Sequence, residues 1–329
     1  MIGSSAFSKL FNVEMLLPPP LRPGDTIAII PTARAITVEE LRDGIALAES
    51  WGLKVKPGAG IGRKHFQQAG TAEERAADLQ AALDDPTVRA IWCARGGYGT
   101  VHLLDHLDLS ALRRDPKWIV GFSDITVLHN AVHNMGIASL HAQMPFNIGA
   151  KTEESRESLR RALMEGEWSM ATSEWVSYPF TNDHSPFTRV GQCEGILIGG
   201  NLSLLYALRG TPYDIDPTGN ILFIEDLDEL LYHVDRMVQN LRLAEWFKNL
   251  AGLIVGGMSD MRDKNPDDPF GKSAERIIAD ALGDSTYPVC FGFPAGHIDD
   301  NRALVLGATV KLTVTADGAS ISYVDRNRA

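Results

Sequence analysis

Apolar positions in the first half of the chain switch between two spacings. Short apolar runs at residues 26–30 (TIAII), 53–56, 89–93 and 118–122 read as strands. Between them, residues 38–51 have helical spacing, with Val38, Leu41, Ile45 and Ala48 on one face and Gly52 as the stop. Residues 73–83 and 124–134 predict two more helices, and Leu103, Leu104 and Leu107 mark another after the glycine-rich stretch 95–100. Strand–helix repetition of this kind predicts a mostly parallel sheet covered on both faces.

The pattern lapses at residues 165–189, which are rich in Ser, Thr and aromatics without a sustained period. Beyond it, residues 194–198, 221–224 and 253–255 read as strands and 230–250 as a long amphipathic helix. Residues 304–323 read as two strands around the turn Ala316-Asp317-Gly318. The expected organisation is a tail at 1–14, an α/β domain at 15–165, a connection at 166–189 and a mixed α/β domain with an antiparallel part at 190–329. Pro18, Pro19 and Pro20 predict an extended entry into the first domain.

Composition narrows the function classes. A chain of 329 residues, 44% hydrophobic and 22% charged, can bury a core without disulfides or metal. Its net charge of -11 repels phosphate backbones and anionic lipid, which argues against nucleic-acid and membrane partners. Cys93, Cys193 and Cys290 form no Cys-x-x-Cys pair and read as buried thiols in a reducing compartment. No apolar run approaches the ~18 residues of a membrane span.

Four segments could carry chemistry. Ser123, in Gly121-Phe122-Ser123-Asp124, follows a predicted strand and opens a helix, where a hydroxyl can serve as a nucleophile beside unpaired N–H groups or simply cap the helix. Arg95-Gly96-Gly97-Tyr98-Gly99 follows another strand; its glycines allow close backbone approach to a ligand, or a tight turn, and Arg95 can pair with a carboxylate. Glu225 and Asp226 stand at a strand end, where ligands bind in α/β sheets but where solvated acids are also common. His297 follows a glycine turn and can titrate near neutrality. Serine, acid and histidine in this chain order fit a hydrolase triad contributed by two domains across a cleft.

Two other signals compete. His129/His133 and His102/His106 have the i, i+4 spacing of metal ligands, but neither pair is His-Glu-x-x-His. The glycine-rich segment 58–62 follows a strand like a dinucleotide loop, yet no apolar helix opens behind it, so it reads as a surface loop.

Seven ordered blocks resemble the LD-carboxypeptidase family of serine peptidases: residues 21–30, 69–83, 94–100, 116–129, 199–213, 222–237 and 292–297. The resemblance implies a Rossmann-like N-terminal domain and a smaller mixed α/β C-terminal domain. It also implies Ser123 as nucleophile, His297 as base and Glu225 as its orienting acid, with no metal and no cofactor. The oxyanion would be held by backbone N–H groups of Asp124 and Gly97. Arg95, Gly96, Tyr98, Glu229 and Tyr232 would contact substrate, with Asp235 and Arg236 matching the same helix pattern or forming surface ion pairs. Family enzymes act as peptidases, often dimeric, that release D-alanine from the L,D-bond of murein tetrapeptide during cytoplasmic recycling. A sister branch, the microcin-C immunity type, cleaves peptidyl-aminoacyl nucleotides. A binding protein using the same cleft without catalysis is the reading from a different class. The chain departs from the family pattern at His141-Ala142-Gln143-Met144, where His-Gly-Pro-Met is common, and at Pro31-Thr32-Ala33-Arg34-Ala35, where many relatives have an Ala-Pro-Ser-like turn.

Overall fold

The structure, a computed structural model, describes residues 15–165 and 185–324. The expected tail and residues 166–184 of the expected connection lie outside the described residues.

The first sheet grows from alternating strands and helices: β1 (Thr26–Ile30), α1 (Val38–Ser50), β2 (Lys54–Pro57), α2 (Ala72–Asp84), β3 (Val88–Cys93), β4 (Trp118–Gly121), α3 (Thr126–Asn134) and β5 (Ser139–His141). Its strands β1, β3 and β4 are buried along almost their whole length, as strands covered on both faces must be. β2 is polar, ends in Pro57 and forms the edge, where an unpaired N–H costs nothing. Helices α1 and α2 both start with capping boxes, Thr37 with Glu40 and Thr71 with Glu74, which satisfy donors that a helix start leaves free.

Helix α4 (Glu153–Met164) then leads out of this half. The second sheet contains β6 (Gly191–Asn201), β7 (Ile221–Leu227), β8 (Gly252–Ser259) and β9 (Val289–Phe291), all parallel. Helices α5 (Leu202–Ala207), α6 (Leu231–Leu243) and α7 (Ala274–Leu282) accompany them.

The C-terminal segment differs from the two-strand expectation. It makes three strands: β10 (Leu304–Leu306), β11 (Thr309–Val314) and β12 (Ala319–Tyr323). β11 and β12 form the antiparallel edge of the second sheet, whereas β10 pairs antiparallel with β5 and completes the first. Gly307 makes the switch between sheets: its φ is +92° and it lies so close to Ala138 and Met15 that no side chain fits.

Other differences are local. Helix α6 stops at Leu243 rather than at residue 250, because Glu245 takes φ +61°; Trp246, Phe247 and Leu250 keep the apolar period buried in the turns that follow. The helix expected after the glycine-rich loop is a 3₁₀ turn, Thr100–His106, with Leu103 and Leu104 buried.

The two sheets meet along the carboxyl ends of their parallel strands. Asn201 N–H donates to Thr126 Oγ1 (3.0 Å) and Asn130 Nδ2 donates to Tyr213 O (3.1 Å).

Candidate active site

β4 ends at Gly121, and the chain turns sharply through Phe122 into Ser123, which has φ +63°. A non-glycine residue in this region costs ~1–3 kcal/mol and is held there only by its surroundings. Ser123 makes no capping hydrogen bond to the helix that follows; its Oγ lies 3.0 Å from His297 Nε2. The helix-cap reading of Ser123 is therefore not what the fold uses.

Glu225 lies inside β7 rather than at its end, and its side chain is fully buried. Its Oε2 accepts both the His297 Nδ1–H (2.7 Å) and the His297 backbone N–H (3.2 Å). Two bonds to one oxygen fix ring and main chain together. Oε1 has no hydrogen-bond partner among the described residues. Ser123, His297 and Glu225 thus form one continuous hydrogen-bonded line.

Backbone shape brings His297 to this place. β8 carries one more residue than β7 between the pairs Ile224↔Val255 and Asp226↔Met258, a bulge at Gly256 and Gly257. A side chain at Gly256 would collide with the Ala295 carbonyl, and one at Gly257 with Ile298, so these glycines let the histidine loop settle on the sheet. Gly257 N–H donates to Ala295 O (2.9 Å). Gly296, at φ +106°, leaves no room for a Cβ, which would sit 2.6 Å from Glu225 Oε2.

The other side of the loop belongs to the first sheet. Asn301, fully buried, accepts the Gly296 N–H at Oδ1 (2.8 Å) and donates through Nδ2 to Gln143 Oε1 (3.4 Å). Lys151 Nζ donates to Ile298 O (3.0 Å), and Ser155 Oγ to Asn301 O (2.8 Å). A histidine supplied by the second half of the sequence is thereby anchored by the first half.

Electrostatics follow from this burial. Desolvation works against charge on His297, but the Glu225 carboxylate and its hydrogen bond, with Asp226 behind them, outweigh it and raise the pKa above the ordinary imidazole value. Asp226 is pushed up to about 7 by burial and by the neighbouring Glu225 charge. It accepts from Asn201 Nδ2 (2.8 Å), Ser203 N–H (3.0 Å) and Leu227 N–H (2.9 Å), so it organises the end of β6 rather than the histidine.

The glycine-rich loop lies beside Ser123. A Cβ at Gly96 would stand 3.5 Å from Ser123 Oγ, while one at Gly97 would strike the Arg34 side chain. The Asp124 carboxylate, buried, accepts from Thr100 N–H (2.9 Å) and Thr100 Oγ1 (2.6 Å) and so ties this loop to the serine turn. Arg95 faces Glu40 at 3.6 Å and lies over the Phe146 ring at 4.1 Å. Tyr98 is half exposed and meets His102 edge-on.

The expected helix residues stand further out. Glu229 bonds to His233 (3.2 Å), and its charge also reaches Asp226. Tyr232 lies under Arg236 (5.4 Å), and with Asp235 both border a surface hollow that includes Phe270. No contact joins Glu229 or Tyr232 directly to Ser123 or His297 among the described residues.

Three neighbours of the site escaped sequence reasoning. His141 is buried between the rings of Phe122 (5.9 Å) and Phe223 (4.9 Å), with neither nitrogen hydrogen-bonded among the described residues; burial, then the nearby His129 and His297, hold its pKa well below the usual value. Its segment stood out in sequence, but its burial did not. Arg34 also lies in a segment that departs from the family pattern, whereas Asn301 gave no local signal.

The competing signals have structural explanations. His129 uses Nδ1 with Ser139 Oγ (2.8 Å) and Nε2 with Gly121 O (2.9 Å), leaving no nitrogen for a metal. In the segment 58–62, the N–H groups of Ala59 and Gly60 are both taken by the Asp78 carboxylate (2.8 Å each), which fills the place a phosphate would need.

Residues 27–142 match the family model for the LD-carboxypeptidase N-terminal domain, and residues 194–312 the model for its C-terminal domain. The chain belongs to the LD-carboxypeptidase family. It is an enzyme of the serine-type LD-carboxypeptidase class. Among its LD-carboxypeptidase relatives is the probable murein peptide carboxypeptidase of Bacillus subtilis, 33% identical over 314 residues, covering 92% of this chain and 93% of that protein. The solved muramoyltetrapeptide carboxypeptidase of Oxalobacter formigenes superposes with a TM-score of 0.79 at 29% identity, covering 91% of this chain and 99% of the other. The microcin C7 self-immunity protein MccF, solved in complex with glutamyl sulfamoyl guanosine, shares the fold with a TM-score of 0.80 at 23% identity, covering 93% of this chain and 98% of the other.

Proposed function

We propose that this LD-carboxypeptidase hydrolyses the L,D-peptide bond that releases terminal D-alanine from murein tetrapeptide, using Ser123, His297 and Glu225. The observation that carries the reading is the unbroken line from Ser123 Oγ through the His297 ring to Glu225 Oε2, at 3.0 and 2.7 Å. His297 Nε2 takes the hydroxyl proton as Ser123 Oγ attacks the scissile carbonyl. Glu225 keeps the other ring proton on Nδ1 and stabilises the imidazolium that forms. Backbone N–H groups of Asp124 and of Gly97 receive the oxyanion, with the Asp124 carboxylate holding the glycine loop in register. His297 then gives its proton to the departing amine, and water attacks the acyl-enzyme by the reverse sequence. In acylation the serine proton passes through His297 to the departing amine, and in deacylation water returns a proton through His297 to Ser123, so each proton is accounted for between Ser123, His297, substrate and water.

Greater identity to murein peptide carboxypeptidases than to MccF favours the peptide over an aminoacyl nucleotide. We extend the proposal to a cytoplasmic homodimer, to be checked by cell fractionation and light scattering. The decisive assay incubates the protein with L-Ala-γ-D-Glu-meso-diaminopimelate-D-Ala and follows free D-alanine, with an aminoacyl sulfamoyl nucleotide alongside. Release of D-alanine by the native chain and not by Ser123→Ala supports the reading. Cleavage of the nucleotide alone moves the protein to the immunity branch. No turnover of either, and no adduct with a serine-directed phosphonate, leaves a binding protein.

A further inference from the structure

The buried face of α2 carries a charge. Arg75 stands among Ala76, Leu79, Ala82 and Leu83 and is only 3% exposed. A cation in such surroundings is costly unless something balances it. Its guanidinium Nη1 donates to two carbonyls, Gly99 O (2.9 Å) at the end of the glycine-rich loop and Thr32 O in the turn after β1. Its Nε is buried without a partner among the described residues.

The balancing anion is Asp124, itself 1% exposed, whose charge works against the desolvation of Arg75. The two meet through a peptide group. Asp124 Oδ2 accepts the Thr100 N–H (2.9 Å), and that N–H belongs to the same peptide unit as the Gly99 carbonyl that Arg75 binds. One peptide therefore stands between a buried cation at its oxygen and a buried anion at its N–H, with its dipole aligned to both. Thr100 Oγ1 donates to the same Oδ2 (2.6 Å) and lies 3.3 Å from Thr32 Oγ1.

This arrangement suits an ionised Asp124. With both Thr100 donors on Oδ2, a proton would have to sit on Oδ1, which has no hydrogen-bond partner among the described residues. Burial pushes the Asp124 pKa above the ordinary carboxylate range, while the bonds from Thr100 and Gly99 and the Arg75 charge pull against it. The carboxylate is felt by its neighbours: burial, with Asp124 adding to it, pushes the Cys93 thiol up to about 12.

Asp124 follows Ser123 directly, and the proposed mechanism builds negative charge on an oxygen held by the Asp124 and Gly97 N–H groups. A bare carboxylate buried at that position would oppose the second negative charge, with little water to screen the repulsion. We infer that Arg75 is a positioning residue of the reaction: as counter-ion of Asp124 across the Gly99–Thr100 peptide, it holds the glycine-rich loop against the serine turn and cancels the charge that would oppose the oxyanion. The inference rests on the proposed peptidase reading and adds a residue to it.

The test is a double-mutant cycle on the full chain, read as D-alanine release from the tetrapeptide. Arg75→Met and Asp124→Asn each leave one buried charge unmatched, and each should lower kcat by about 10^2- to 10^3-fold with KM within about threefold of native. Arg75→Met/Asp124→Asn buries neither charge and should be about tenfold or more faster than Arg75→Met. Arg75→Lys keeps the charge and should stay within about tenfold of native. A double variant as slow as the two single losses multiplied, or a loss confined to KM, overturns the inference and leaves Arg75 as a structural prop. If Arg75→Met does not fold, the double variant decides: folded and faster than Asp124→Asn, it upholds the counter-ion; unfolded or no faster, it rejects it. If the native chain releases no D-alanine, the peptidase reading fails separately, and the cycle is read in urea unfolding. A double variant more stable than the summed single losses predict then upholds the peptide-bridged pair, and additive losses reject it.

Discussion

The two sheets contribute to the site in opposite ways. The first presents Ser123 on a strained turn, flanked by the glycine-rich loop and by arginine side chains that solvent can reach. The second presents Glu225 from within a strand, with no exposed surface. In the proposed mechanism the attacking group has to meet substrate, and Ser123 sits on a turn that projects from the sheet edge. The orienting carboxylate of that proposal only has to hold an imidazole, which it does better sealed from water, where its charge is less screened. The His297 loop belongs to neither pattern: its ring spans the two groups while Asn301, Ser155 and Lys151 moor its backbone.

The sharpest way to break this contrast is at the attacking atom. Ser123→Ala should lower kcat by about 10^6-fold, leaving the thermal midpoint intact or slightly raised, because removing a nucleophile costs about as much as removing a whole triad. A variant retaining native turnover would assign the chemistry elsewhere. Next comes the sealed carboxylate. Glu225→Gln should reduce kcat by about 10^3- to 10^4-fold through the wrong tautomer.

It should also move the pH profile in a defined direction. His297 must be neutral to accept the serine proton, and Glu225 raises its pKa, so native kcat/KM should climb with pH through a midpoint above ~6.5. Without the carboxylate charge, burial dominates and the midpoint of the residual activity should fall. A profile that keeps its position in Glu225→Gln would show that the carboxylate does not set the histidine.

Gly296→Ala tests the mooring. A methyl 2.6 Å from Glu225 Oε2, on a backbone with φ +106°, should displace the ring and cut kcat by about 10^2-fold. The smallest effect is expected at Asn301→Ala, which leaves the Gly296 N–H without its acceptor; a loss of about 1–3 kcal/mol in denaturant unfolding is the measure.

The strands β1, β3 and β4 were legible because their side chains are buried on both faces, and burial of that sort writes continuous apolar runs. Helix α1 was equally plain from its one-sided spacing, although Val38, expected on the buried face, is exposed and Gly44 is buried in its stead. Elements of three residues, such as β5 and β9, hold too few positions to show a period. In the sequence β10 reads as part of one long strand, because only the conformation at Gly307 separates it from β11. At the site, residue type and family blocks pointed to Ser123, Glu225 and His297, and the fold sets them in hydrogen-bond contact. Asn301 could not be anticipated, since its partners Gln143 and Ser155 lie far along the chain and follow from the packing of loops rather than from any spacing.

The placement of Leu304–Leu306 in the first sheet also constrains biosynthesis. A nascent chain that has emerged only as far as the second sheet's parallel strands still has an open edge along Ser139–His141. That edge closes only once residues 304–306 have left the ribosome, and the stretch just before them carries His297. Copies that stop short of residue 304 are therefore born with that edge unpaired, and reconstitution from two fragments would succeed only if the later fragment carries its three-residue return strand.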